Sequence, residues 1–184
     1  MFQNEQFIIR EYKSSDVTAV WNTLNNYQIY ITTYGIPHPC DIKYAKKWIK
    51  NIKTAFLTKA SYEYAIINKK NGAYMGNVGL INIDNSSRRC DITYFIDPLY
   101  QNHGIATQAG AIMIKHAFEE LGMVRVGGMC MDSNPASARV MEKLKMTYEG
   151  TLRNYFFKEN TCVNAKNYSI LLEEYAKLRG SSNN

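Results

Sequence analysis

Asp97-Pro98-Leu99-Tyr100-Gln101-Asn102-His103-Gly104-Ile105-Ala106-Thr107 joins the end of a predicted strand to the start of a predicted helix. The first turn of a helix leaves backbone N–H groups without intrahelical partners, and those donors, at the positive end of the helix dipole, suit an anion. Gly104 and Ala106 carry almost no side chain, so a pyrophosphate can approach this main chain closely. A glycine after a strand also fits a plain tight turn, and the loop taken alone supports both readings. Two common phosphate loops are absent: the chain has no G-x-x-x-x-G-K-[ST], and no G-x-G-x-x-G follows a first strand.

Upstream of this loop, segments 62–67, 73–83 and 89–97 read as strands, separated by the turn signals Asn71-Gly72 and Asn85-Ser86-Ser87, which makes an antiparallel meander. In the third strand Cys90, Ile92, Tyr94 and Ile96 share one face and Asp91, Thr93, Phe95 and Asp97 the other. Downstream, a helix over 106–121 buries Ala109, Met113, Ala117, Phe118 and Leu121, stops at Gly122, and leads to a strand over 124–131. Such a strand, helix, strand crossover predicts a parallel pair. Asn134-Pro135 opens a further helix on Ala136, Val140, Met141 and Leu144, and strands over 146–153 and 163–172 follow. At the other end, Phe7 to Tyr12 reads as a strand, and Asp16 as the cap of a helix on Val17, Val20, Trp21 and Leu24. A helix from Asp41 carries Ala45, Trp48, Ile49, Ile52 and Phe56. The aromatic segment Tyr27 to Tyr34 lies between these two helices. One domain over 1–178 is expected, with 179–184 a loose polar tail.

The 184 residues are 46% apolar and 21% charged, with four prolines and eleven glycines, which excludes a disordered or collagenous chain. Lys and Arg number 22 against 16 Asp and Glu; the excess of +6 suits anionic ligands and equally a surface kept soluble by lysines. The four cysteines stand far apart without a C-x-x-C pair, so free thiols and no metal site are expected. The first residues lack a signal-peptide pattern and no apolar run approaches a membrane span, so a cytoplasmic protein with no membrane partner is expected.

The loop has the form Q-x-x-G-x-A and resembles the Q/R-x-x-G-x-G/A signature of the GNAT superfamily of N-acetyltransferases. The likeness extends along nearly the whole chain and is nearest to the RimJ/RimL branch of ribosomal-protein N-terminal acetyltransferases. It is carried by I-I-R-E-Y near the start, P-H-P-C-D, M-G-N-V-G-L at 75–80, Y-F-I-D-P-L-Y, S-N-P-A-S-A-R-V-M-E-K-L at 133–144, E-G-T-L-R at 149–153 and N-Y-S-I-L-L at 167–172. The resemblance implies an α/β (α+β) fold, a mixed and mostly antiparallel sheet of six to seven strands with helices on both faces. Its fourth and fifth strands, here 89–97 and 124–131, are expected to splay around acetyl-CoA as co-substrate. By the same resemblance the pyrophosphate falls to Gln101, Asn102, His103, Gly104, Ile105, Ala106 and Thr107, and the pantetheine to the backbone of Phe95, Ile96 and Asp97. Asn134 and Ser137 then lie near the pantetheine and thiol.

Acetyl transfer needs a neutral amine, and a chain terminus, with a pKa of ~7.7–8 against ~10.4 for lysine, deprotonates more easily. A backbone N–H around Phe95 or Ile96 is placed to stabilise the oxyanion. Many family members protonate the departing thiolate with a tyrosine seven residues after the motif asparagine; Met141 stands there, and Ser137 takes the role. The other reading of Ser137 is a hydroxyl that only caps its helix. Asp91 matches an acidic position used as a base in some members, and holding a backbone group or an arginine is the competing role. Glu149 is a second acid, His38 lines a pocket or a loop, and His103 offers its backbone N–H. Lys145 replaces the usual helix-ending glycine. The first acceptor is a protein N-terminus, the alternative a polyamine, amino acid or antibiotic. A non-catalytic acyl-CoA-binding module is a competing class. Nucleic acid is expected only indirectly, through a ribosomal protein, and a homodimer stays open.

Overall fold

The computed structural model describes residues 1–180. Its centre is a sheet of eight strands, one more than the expected maximum: β1 (Phe2–Gln3), β2 (Phe7–Arg10), β3 (Tyr62–Asn68), β4 (Tyr74–Asp84), β5 (Arg89–Ile96), β6 (Arg125–Met131), β7 (Thr147–Lys158) and β8 (Thr161–Leu171). The helices are α1 (Val17–Leu24), α2 (Tyr27–Thr32), α3 (Ile42–Leu57), α4 (Ile105–Glu119), α5 (Pro135–Lys143) and α6 (Leu172–Gly180). Strand order is β1-β2-β3-β4-β5-β6-β8-β7, and the β5–β6 contact that spans the crossover is parallel. The additional strand is the two-residue β1, too short to show any alternation.

Alternation along β3, β4 and β5 feeds a separate core on each face. One face packs Ile66, Val78, Leu80, Ile92 and Ile96 against Ala109, Met113 and Ala117 of α4 and Met141 of α5. The other packs Ala65, Ile67, Tyr74 and Phe95 against Val20 and Leu24 of α1 and Ala45, Ile49 and Ile52 of α3.

Several boundaries differ from expectation for local reasons. Asp16 does not cap α1 with its side chain; its carboxylate takes both guanidinium nitrogens of Arg10 at 2.7 and 2.9 Å and the Lys13 N–H at 2.7 Å, closing a 3-10 turn instead. β7 runs on to Lys158 because Glu159 and Asn160, both at positive φ, make a two-residue reversal into β8. Arg179 and Gly180, expected in the tail, continue α6, where Arg179 pairs with Glu119; the remaining tail, 181–184, lies outside the described residues. Lys145 adopts φ +63° without glycine. What compensates is a complete pair of hydrogen bonds closing the helix end: Met146 N–H donates to the Met141 carbonyl and Lys145 N–H to the Glu142 carbonyl, both at 3.0 Å.

Candidate active site

β5 and β6 pair only at Arg89↔Arg125, Cys90↔Val126 and Asp91↔Gly127, after which they part. β5 stays paired with β4 up to Ile96, so one of its edges is fully bonded and the other opens into the splay. Asp97 N–H donates to the Met75 carbonyl across β4. By the alternation of a strand, Phe95 therefore also turns its backbone to β4, while Tyr94 and Ile96 turn theirs to the opening. Gln101 Nε2 reaches the Ile96 carbonyl at 2.9 Å, which folds the loop back along this edge. Of the three expected pantetheine residues, Ile96 presents main chain to the splay and Phe95 packs its ring near Trp48. The Asp97 carboxylate is committed to Leu99 N–H at 3.0 Å and to the Thr23 hydroxyl at 2.5 Å, which locks α1 to the loop.

The loop turns through Asn102 at φ +64° and Gly104 at φ +74°. His103 Nδ1 lies 2.6 Å from the Gln101 carbonyl. The first helical bond of α4 runs from Gln108 N–H to the Gly104 carbonyl at 3.0 Å, so the N–H groups of Ile105, Ala106 and Thr107 have no intrahelical acceptor, and no side chain caps them. A Cβ built on Gly104 meets only Gln108 Nε2, at 3.5 Å. The cradle is therefore backbone donors with open space in front of them, which fits a diphosphate. Ile105 is buried and anchors the turn from beneath.

On the far side of the splay, Asn134 caps α5 by accepting Ser137 N–H at 3.1 Å, and its amide donates to the Thr32 carbonyl at 3.1 Å, tying the cap to the end of α2. The Ser137 hydroxyl stands 3.0 Å from the Tyr94 hydroxyl, which crosses from β5 and also reaches the Ser137 carbonyl at 3.1 Å. Burial pushes the Tyr94 phenol well above its ordinary value, and the Ser137 bond draws it part of the way back. Met141 is 1% exposed and belongs to the core. The phenol near Ser137 thus comes from β5, a position whose alternation with Cys90, Ile92 and Ile96 reads as plain core.

The carboxylates divide by surroundings. Asp91 stands at the closed end of the splay, with one oxygen 2.9 Å from Asn82 Nδ2 and the other lying where a Cβ on Gly127 would be. Glu149 is held by both nitrogens of Arg125 at 2.6 and 2.5 Å, by Ser169 at 2.7 Å and by Asn167 at 2.8 Å; the Arg125 bonds lead in bringing its pKa down to about 2. Glu63, which sequence pattern did not single out, extends over β4 and accepts Asn77 Nδ2 at 3.0 Å. The side of the splay facing α2 is aromatic: His38 stacks on Tyr30 at 5.0 Å, Tyr34 meets Phe156 at 4.9 Å, and Lys158 Nζ lies 3.5 Å over the Tyr30 ring and 3.0 Å from the Thr33 carbonyl. Among the described residues no group of three His, Cys, Asp or Glu side chains is placed to hold a metal ion, and no helix is long and apolar enough to cross a membrane.

Residues 6–147 match the family profile of the acetyltransferase (GNAT) domain. The chain belongs to the GNAT acetyltransferases. It is 24% identical over 171 residues, 93% of this chain and 96% of the relative, to the uncharacterized N-acetyltransferase YoaA of Bacillus subtilis. In fold this GNAT chain is similar to the ribosomal-protein-S5-alanine acetyltransferase of Vibrio fischeri, with TM-score 0.84, 20% identity, and 95% and 97% of the two chains covered. It is likewise similar to the spermidine N-acetyltransferase of Vibrio cholerae solved with CoA and spermine, with TM-score 0.81, 20% identity, and 94% and 99% covered. The protein is an acetyl-CoA-dependent N-acetyltransferase, with an amine as acceptor.

Proposed function

We propose that this N-acetyltransferase acts on the free N-terminus of a polypeptide, a ribosomal protein being the partner its RimJ/RimL likeness points to. The observation that carries the reading is Lys158: its ammonium sits at the aromatic side of the splay, against Tyr30 and the Thr33 carbonyl, where it repels a polycation and tolerates a peptide with one terminal charge. The terminus also holds the lower amine pKa.

In this reading the N–H groups of Ile105, Ala106 and Thr107 hold the diphosphate, with Gln101, Asn102, His103 and Gly104 shaping the loop. Acetyl-CoA, when bound, supplies an activated acyl group. The Tyr94 and Ile96 N–H groups face the opening and stabilise negative charge on the acyl oxygen. Ser137, backed by Tyr94, gives the thiolate its proton, and Asn134 sets the helix end that carries Ser137. Asp91 is one candidate for taking the proton of the amine.

A competition assay tests the acceptor: a peptide with a free N-terminus and spermidine are offered together with acetyl-CoA, and products are read by mass spectrometry. We expect α-amine acetylation of the peptide at about 10-fold or greater preference in kcat/KM, equivalent to ~1.4 kcal/mol. Preference for spermidine overturns the reading in favour of a polyamine acceptor, for which the exposed rings of Tyr27 and Tyr34 offer cation-binding faces. We also propose a second copy of the chain as partner along the outer strand β7, where Tyr148, Leu152, Tyr155 and Phe157 stand exposed. Light scattering that reads a monomer removes it.

A further inference from the structure

We infer that Glu63 is the catalytic carboxylate that takes the proton from the acceptor amine. The strand register places Glu63 opposite Gly79, and Gly79 opposite Thr93, the neighbour of Tyr94 on the splayed edge. A Cβ on Gly79 would stand 2.6 Å from the Tyr62 carbonyl oxygen and 2.7 Å from both Cα and Cγ of Glu63, so the glycine admits the close approach of the β3 main chain together with the stem of the Glu63 side chain. Glu63, Gly79 and Thr93 share the face covered by α1 and α3, opposite α4.

The carboxylate is held from one end only. Asn77, itself 1% exposed, donates Nδ2 to Glu63 Oε2 at 3.0 Å, and its other end accepts the Tyr12 hydroxyl at 2.8 Å, which in turn stands 3.2 Å from the Tyr74 hydroxyl. Among the described residues Glu63 Oε1 has no hydrogen-bond partner, and it is not a sealed atom, so it faces solvent-accessible space. An oriented carboxylate with one free oxygen is what a proton acceptor needs. Burial raises the Glu63 pKa above the ordinary carboxylate value, and the Asn77 bond lowers it only in part. The titratable groups that interact with it are the Tyr12 and Tyr74 phenols, while α3 presents apolar Ala45, Ile49 and Ile52 with Trp48. Asp91, which pairs with Gly127 in the last row before the splay, is the poorer base, being bonded to Asn82 and within the electrostatic reach of Arg125.

The protons balance. The ammonium gives one proton to Glu63, which releases it to solvent. The C–N bond then forms as the C–S bond breaks; Ser137 passes its hydroxyl proton to the CoA thiolate and takes up the second nitrogen proton in its place, so the products are the amide, the CoA thiol and the one proton released through Glu63. The inference rests on the N-acetyltransferase activity and is independent of whether the acceptor is a peptide or a polyamine.

Glu63→Gln, Glu63→Asp and Asp91→Asn are assayed by thiol release with the N-terminal peptide and with spermidine across pH, alongside CoA affinity and melting temperature. We expect Glu63→Gln to lose about 100-fold in kcat/KM, to lose the acid limb of the pH profile, and to bind CoA as before, with Glu63→Asp retaining the limb. A limb that persists in Glu63→Gln, or that vanishes only in Asp91→Asn, overturns the inference. If neither probe turns over, or the variant fails to fold, carbon-13 titration of the Glu63 carboxyl in the wild-type protein with CoA bound decides: a midpoint above the ordinary ~4.3 supports it, and a midpoint at or below that value overturns it.

Discussion

Gly104 holds φ at +74°, a region in which an L side chain costs about 1–2 kcal/mol, and under the proposed function the space in front of it takes the phosphates. Gly104→Glu adds bulk and a negative charge to that cradle, so CoA affinity measured by calorimetry is expected to fall at least about 100-fold, or ~2.7 kcal/mol. Ser137→Ala is expected to lower kcat about 10- to 100-fold with CoA affinity unchanged. Tyr94→Phe is expected to reproduce part of that loss, and the double variant to be no slower than Ser137→Ala, since the two hydroxyls 3.0 Å apart act as a unit. Additive losses would separate them. The Asn134–Ser137 contact was legible from the spacing because a cap and its third residue are local. Tyr94 was not, because its partner lies 43 residues away and its strand position reads as core. The Glu63 contact was not legible for a related reason: Asn77, which holds its carboxylate, lies 14 residues away on a neighbouring strand whose pattern gives no sign of what crosses it.

At the scale of elements, the end of α5 is the clearest case of a local rule broken and compensated. Lys145 sits in the left-handed region that favours glycine, and the two bonds from Met146 and Lys145 hold it there, with Met141 and Met146 both buried in the core beneath. Lys145→Gly is expected to raise unfolding free energy by about 0.5–1 kcal/mol, the relief of strain less the greater freedom of glycine in the unfolded chain; urea denaturation measures it, and a loss of stability contradicts it. The long amphipathic elements were readable: α3 starts at the Asp41 cap, α5 at Asn134-Pro135, and α4 runs from Gly104 towards Gly122. Short ones were not. α2 spans six residues, too few for helical periodicity, and depends on bonds from Asn134 and Lys158 to its C-terminal end. The reversal at Glu159-Asn160 uses Glu at a position where glycine or asparagine is the usual signal, so the length of β7 went unread.

Across the whole molecule, Arg125 on β6, Glu149 on β7 and Ser169 and Asn167 on β8 cross-link the sheet beyond the splay. Glu149 has its pKa lowered to about 2 in the fold, against ~4.3 unfolded. Its contribution is therefore complete above about pH 4.3 and is lost as pH falls towards 2, by about 1 kcal/mol once solvent screening is allowed for. Glu149→Gln is expected to flatten that part of the stability curve; an unchanged acid transition would remove the role. The overall architecture was readable because the meander, the crossover and the Q-x-x-G-x-A loop follow in order, and each is set by residues near one another in the chain. The parting of β5 from β6 has a consequence for motion. Beyond Asp91 the inward amides of Tyr94 and Ile96 have no neighbouring strand, so in deuterated buffer they should exchange faster than their β4-bonded neighbours Thr93 and Phe95, and gain protection when the coenzyme fills the gap. In this sense the sheet is one strand short until its co-substrate arrives.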